Sequence, residues 1–151
     1  MRILSRLGVA AFLLGTLALA ESASAGIFIT GHDPIWHSNF GGNAAGAANL
    51  ATTMIDFARG SSALPFLFIE SKTVAIPSGN AREAGFLDAL GYTGEYTVMD
   101  AADLMALANF RTTLNSYSAI VVASDHGGML TAAELSFLNG HSADIIDYIN
   151  A

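Results

Sequence analysis

The sequence predicts an α/β domain: a mostly parallel sheet covered by helices on both faces. Three observations predict it. Short β-rich runs such as PFLFIE (residues 65–70) and AIVVA (119–123) are apolar throughout rather than alternating, the pattern of strands buried on both sides. Between such runs lie stretches with apolar residues at helical spacing, as surface helices facing a core require. Glycines and capping residues punctuate most boundaries, as helix ends demand. Strands that alternate with helices pair in parallel, because a parallel neighbour is reached only through a crossover.

Residues 1–25 stand apart from the fold. Arg2 and Arg6 precede an apolar run from Gly8 to Ala20, and Ala23-Ser24-Ala25 follows. A charged start, an apolar stretch shorter than the ~20 residues of a bilayer span and a small-x-small site make a cleaved export signal. The domain is then residues 26–151, exported to the periplasm, the cell surface or the medium. No later stretch is long and apolar enough to span a membrane.

In that domain, Gly26-Ile27-Phe28-Ile29-Thr30 reads as the first strand. Asn43 to Arg59 carries Ala47, Leu50, Ala51, Met54, Phe57 and Ala58 at helical spacing, with Gly60 at the C-cap. PFLFIE is the second strand, Ala81 to Leu90 a helix closed by Gly91, and Glu95 to Met99 the third strand. One helix runs from an N-cap at Asp100 to Phe110. AIVVA is the fourth strand, and Thr131-Ala132-Ala133-Glu134 is a capping box. It opens a helix with Leu135, Leu138, Ile145, Ile146 and Ile149 on one face, where Gly140 is the natural point for a break. The chain stops at Asn150-Ala151, where another α/β turn would begin. Doubly wound sheets usually have about five or six strands, so this one reads as incomplete at its C-terminal end.

Composition excludes several functions. Without Arg2, Arg6 and Glu21 the domain keeps twelve acidic residues against four basic ones. Nucleic acid and anionic membranes both need clustered Lys and Arg, so neither is an expected partner. There is no cysteine, hence no disulfide framework, thiol nucleophile or thiolate metal site. An exported domain of this kind rests on its core alone.

Two loops are rich in chemistry. After the first strand come Thr30-Gly31-His32-Asp33-Pro34-Ile35-Trp36-His37, and after AIVVA come Ser124-Asp125-His126-Gly127-Gly128. In open α/β sheets ligands bind outside the carboxyl ends of strands, where strand order reverses. If the first and AIVVA strands are neighbours, as a flavodoxin-like order places them, the two loops meet. His32, His37 and His126 with Asp33 or Asp125 would then suit a divalent metal, zinc or non-haem iron. Their spacing matches no helical His-Glu-x-x-His pattern, and Pro34 argues against a helix there. The plainer alternative is that these residues cap turns.

Ser124-Asp125-His126 is not a hydrolase triad: contiguous side chains cannot form the Ser–His–Asp relay, and Gly127 to Leu130 separates Ser124 from the next helix, unlike a nucleophile elbow. Gly41 to Gly46 precedes a helix but lacks the Lys-Ser/Thr of a phosphate loop. Trp36 could stack on a sugar or cover the core edge.

GIFITGHDPIWHS, AIVVASDHGG and LTAAELSFLNGHSADIIDYINA together resemble exported bacterial proteins of the class I glutamine amidotransferase-like superfamily, some of which carry a C-terminal PEP-CTERM sorting segment. Tyr117 to Val122 and the Leu130-Thr131…Glu134 helix start carry the match. The resemblance implies a three-layer α/β/α sandwich with a flavodoxin-like sheet. It does not imply amidotransferase activity, because that chemistry uses a cysteine nucleophile, which this chain lacks, with a downstream His and Glu whose region the chain ends before.

The expectation is therefore an exported, non-amidotransferase domain binding a small ligand, such as a saccharide, through His32, Asp33, Trp36, His37, Ser124, Asp125 and His126. One alternative is a metal-assisted hydrolase using His32, Asp33, His37, Asp125 and His126 around zinc or iron. Another is a non-catalytic structural surface protein. Oligomeric state is not legible.

Overall fold

A computed structural model describes residues 42–72, 83–123 and 130–151, together with Ile27, Pro34 and His37. Among the described residues the sheet has three parallel strands: β1 (Phe66–Ile69), β2 (Tyr96–Met99) and β3 (Ile120–Val122), in the order β2-β1-β3. The central strand is PFLFIE, in register as Phe66↔Tyr96 to Ile69↔Met99 on one side and Leu67↔Ile120 to Ile69↔Val122 on the other. All four β1 residues are buried, which is why this run carries no polar alternation.

Helices cover both faces. On one face α1 (Ala44–Arg59) and α2 (Glu83–Ala89) enclose Phe66, Phe68, Ile55, Leu87 and Tyr92. On the other face α3 (Ala101–Met105), α4 (Phe110–Leu114), α5 (Ala132–Gly140) and α6 (Ser142–Ile149) enclose Leu67, Ile69, Leu104, Phe110 and Leu114. The period of two along β1 thus divides its side chains between two cores. The crossover from β1 to β2 passes over the first face and the crossover from β2 back to β3 over the second. Opposite directions on opposite faces keep a single hand, as parallel crossovers require.

Several boundaries fall as the sequence implies. Asn43 caps α1 by accepting from the Gly46 N–H (2.9 Å), and Gly60 ends it at φ 56°. Asp100 and Thr131 each head a complete capping box, closed by Asp103 and Glu134.

Four expectations are corrected. The single helix from Asp100 to Phe110 is two short helices, because Asn109 accepts from the Thr112 N–H (2.8 Å) and starts α4 afresh. The last helix breaks beside Gly140, as expected, at His141, but the expected apolar face is not kept. The break resets the helical phase, so Leu135 and Ile146 are exposed while Phe137, Leu138, Ile145 and Tyr148 pack inward. Pro34 and His37 both have helical backbone, so Pro34 does not keep helical backbone out of this stretch. Ile27 is 61 % exposed and outside any strand, so the apolar run does not start its strand there. The rest of the expected first strand lies outside the described residues.

Candidate functional site

The carboxyl end of the sheet collects the buried polar groups. Among the described residues, buried polar side chains are Glu70, Ser71, Asp100, Ser118 and Glu134. All but Ser118 sit where strands leave the sheet at that end or where α5 begins beside it. Glu70 is 1 % exposed and Ser71 is fully buried, each immediately following the central strand. Side-chain alternation places Glu70 over the Phe66 and Phe68 face and Ser71 over the opposite one. The Glu70 charge reaches Tyr96 on that face and helps to raise its pKa.

Between β1 and β3 the strand order reverses. The chain leaves β1 toward helices on one face, and leaves β3 toward α5 on the other. Adjacent strands whose connections part in this way open a crevice at their carboxyl ends, the usual ligand position in open α/β sheets. The connection that leaves β3 is fixed at both feet. The Ala123 N–H donates to the Ile69 carbonyl (2.9 Å) before residues 124–129, and buried Leu130 joins the Leu67 and Ile69 core after them.

Glu134 ties this end together. Its carboxylate accepts from the Ala101 N–H (3.0 Å) at the start of α3, and from the Thr131 N–H (2.9 Å) and hydroxyl. One buried side chain therefore joins the helix after β2 to the return of the β3 connection. Burial acts to raise the Glu134 pKa. Hydrogen bonds from Thr131, Ala101 and its own backbone outweigh that and hold it below the ordinary glutamate value. Beside it, Lys72 at the exit of β1 pairs with Asp103 of α3. The lysine's hydrogen bond, the leading cause, lowers the Asp103 pKa, helped by the Asp100 N–H.

Of the residues the sequence nominates, His32, Asp33, Trp36, Ser124, Asp125 and His126 lie outside the described residues. His37 is exposed on a helical segment. Whether the two loops meet is likewise outside them. Among the described residues no group of three His, Cys, Asp or Glu side chains is placed to hold a metal ion, and no helix is long and apolar enough to cross a membrane.

Sequence reasoning did not single out the burial of Glu70 and Ser71 or the second role of Glu134. A signal for the first pair was present, since Glu70 ends an otherwise apolar strand. Its partner strands, which make that strand central, are not written in the residues. No protein-family model, curated protein or solved structure matches the chain.

Proposed function

We propose that this is an exported, flavodoxin-like domain resembling the class I glutamine amidotransferase-like superfamily without its activity. It binds a small hydroxylated ligand, a saccharide, in the crevice between the carboxyl ends of β1 and β3. The observation that carries the reading is the reversal of strand order at β1 and β3 beside the buried Glu70 and Ser71. The serine, aspartate and histidine residues of the two polar loops suit sugar hydroxyls, which donate and accept in turn. The acidic balance of the chain disfavours an anionic ligand. Ser124, Asp125 and His126 from the β3 connection, with His32, Asp33, Trp36 and His37, would supply the remaining contacts.

The test is calorimetric titration of the mature protein with neutral sugars, among them glucose, galactose and N-acetylglucosamine. Binding by the unsubstituted protein that is lost in Asp125→Asn/His126→Ala, with melting temperature retained, supports the reading. No heat with any sugar removes the saccharide. Elemental analysis of chelator-free protein covers the metal-assisted alternative. About one equivalent of zinc or iron, lost in His32→Ala/His126→Ala, would replace the binding module by a hydrolase.

A further inference from the structure

Between α5 and α6 the chain departs from a continuous helix at one residue. His141 has φ −111° and ψ 21°, about 50° and 60° from ordinary helical values. Its N–H still donates to the Phe137 carbonyl (3.0 Å), and its carbonyl accepts from the Ile145 N–H (3.1 Å). Among the described residues no backbone bond runs from residues 142–144 back to residues 138–140, and no side chain caps α6 at His141. A small rotation at this residue would let those N–H groups reach those carbonyls and join α5 and α6 into one helix. The His141 ring opposes the rotation. It stacks on Phe137 (4.3 Å between centroids), meets the edge of Phe110 on α4 (5.2 Å) and holds the Asp144 carboxylate at 2.7 Å. Of these three contacts, the one with Phe110 ties the break to another element.

Straightening has a cost that names the partner. α6 docks through Ile145 and Tyr148, which join Phe110, Leu114 and Tyr117 in the core of that face. The Tyr148 hydroxyl donates to the Tyr117 carbonyl (2.9 Å), and the Arg111 guanidinium donates to the Asp147 carbonyl (3.4 Å). A straight helix carries α6 off α4 and bares these groups. Restoring them takes the same apolar side chains, hydroxyl and carbonyl in the same places, and α6 of a second copy repeats all of them. The straight form also restores an apolar face that the broken form divides. Leu135 is 43 % and Ile146 56 % exposed, yet in one helix Leu135, Leu138, Ile145, Ile146 and Ile149 return to a single side. That side then bridges the two copies, with Leu138 in its own core and Ile145 in the core of the other.

We propose that the protein dimerises by exchanging α6. The chain straightens through His141, and α6 of each copy docks on α4 of the other. Every contact of the docked helix is kept, so the balance between monomer and dimer is decided at the hinge. The new backbone hydrogen bonds and the reunited apolar face favour the dimer. The His141 contact with Phe110 and the freedom of two separate molecules favour the monomer. The exchange is independent of the ligand proposed above.

The mature protein, refolded from urea at high concentration, should show monomer and dimer in sedimentation velocity. Two variants act on the hinge in opposite directions. A Cβ at Gly140 meets no atom within 4 Å, and alanine favours helix there, so Gly140→Ala should tighten the dimer about tenfold. Ser142→Pro suits the first turn of α6 but breaks a helix interior, so it should leave only monomer, with circular dichroism unchanged. The absence of cysteine lets the exchange itself be located. Arg111→Cys and Asp147→Cys single variants are mixed before refolding and treated with a short bis-maleimide. Mass spectrometry should find the two different chains joined, and should find no such product when both also carry Ser142→Pro. A protein that stays monomeric under these conditions, a dimer that Ser142→Pro leaves intact, or a dimer without the cross-link overturns the exchange.

Discussion

Glu134 serves two helix starts with one carboxylate, which makes it more costly to lose than an ordinary cap. A surface N-cap substituted by alanine costs about 1 kcal/mol. Here the side chain is 2 % exposed and also accepts from the Ala101 N–H of a different helix. Glu134→Ala would leave that donor and the Thr131 N–H without their acceptor, so the expected loss is about 2–4 kcal/mol by urea denaturation. Glu134→Gln keeps an acceptor for one of them and should lose about half as much. A loss under about 0.5 kcal/mol for the alanine variant would mean that the carboxylate does not hold the two helices together. Arg59 is a second such residue. Its guanidinium pairs with Glu95 (2.6 Å) and lies 5.5 and 5.8 Å from the Phe66 and Tyr92 ring centroids. A lysine keeps the charge but loses the planar group that lies over the rings. Arg59→Lys should therefore destabilise by about 1–2 kcal/mol in the same assay, with arginine's stacking as the part lost.

At the scale of elements, α1 contains a glycine in its first turn that propensity alone would replace. A glycine to alanine change inside a helix ordinarily gains about 1 kcal/mol. At Gly46 a Cβ would clash with the Asn43 side-chain amide, so the added methyl expels the cap. Gly46→Ala should therefore give no net gain, while the same change in an Asn43→Ala background should recover about 1 kcal/mol. That non-additivity, read from a double-mutant cycle, is the signature. Equal gains in both backgrounds would show that cap and glycine are independent.

This pair also marks what the sequence could reveal. Asn43, Gly60, Asp100 and Thr131 announced helix ends because capping is local chemistry. β1 and β3 were legible as solid apolar runs. The centrality of β1 was not, since strand order depends on crossovers whose faces are set by packing. Asn109 was hidden inside an otherwise helical pattern, and the phase of α6 was misread because His141 resets it. The candidate site divides in the same way. The histidine and aspartate loops stood out by composition, whereas the burial of Glu70 and Ser71 followed only once β1 proved to be the middle of the described strands.

For the whole molecule, with no disulfide to bridge its layers, stability should follow the ionisation of groups that tie helices to sheet. Burial first, and then a hydrogen bond to Asp56, raise Tyr92 from 10.0 to about 12. Burial and the hydrogen bond to Asp88 do the same for Tyr96. Their hydroxyls donate to those carboxylates at 2.8 Å, joining α1 and α2 to the sheet side of the core. A raised native value means that the folded state holds its proton more tightly than the unfolded chain. This stability is present in full below pH 10 and is lost as pH rises from there through about 12. The acid side runs the other way. Glu134 and Asp103 are held below their ordinary values of 4.5 and 3.8, so their contribution is present above those values and lost as pH falls through the lowered ones. Melting temperature should therefore decline at both extremes, with the alkaline decline starting near pH 10 and smaller in a Tyr92→Phe/Tyr96→Phe variant. Tyrosinate absorbance gives the sharper check among the four tyrosines. Tyr92 and Tyr96 should ionise only near pH 12, together with loss of helical circular dichroism. If all four ionised near pH 10 with the helical signal intact, the hydroxyl ties between helix and sheet would not be holding the fold.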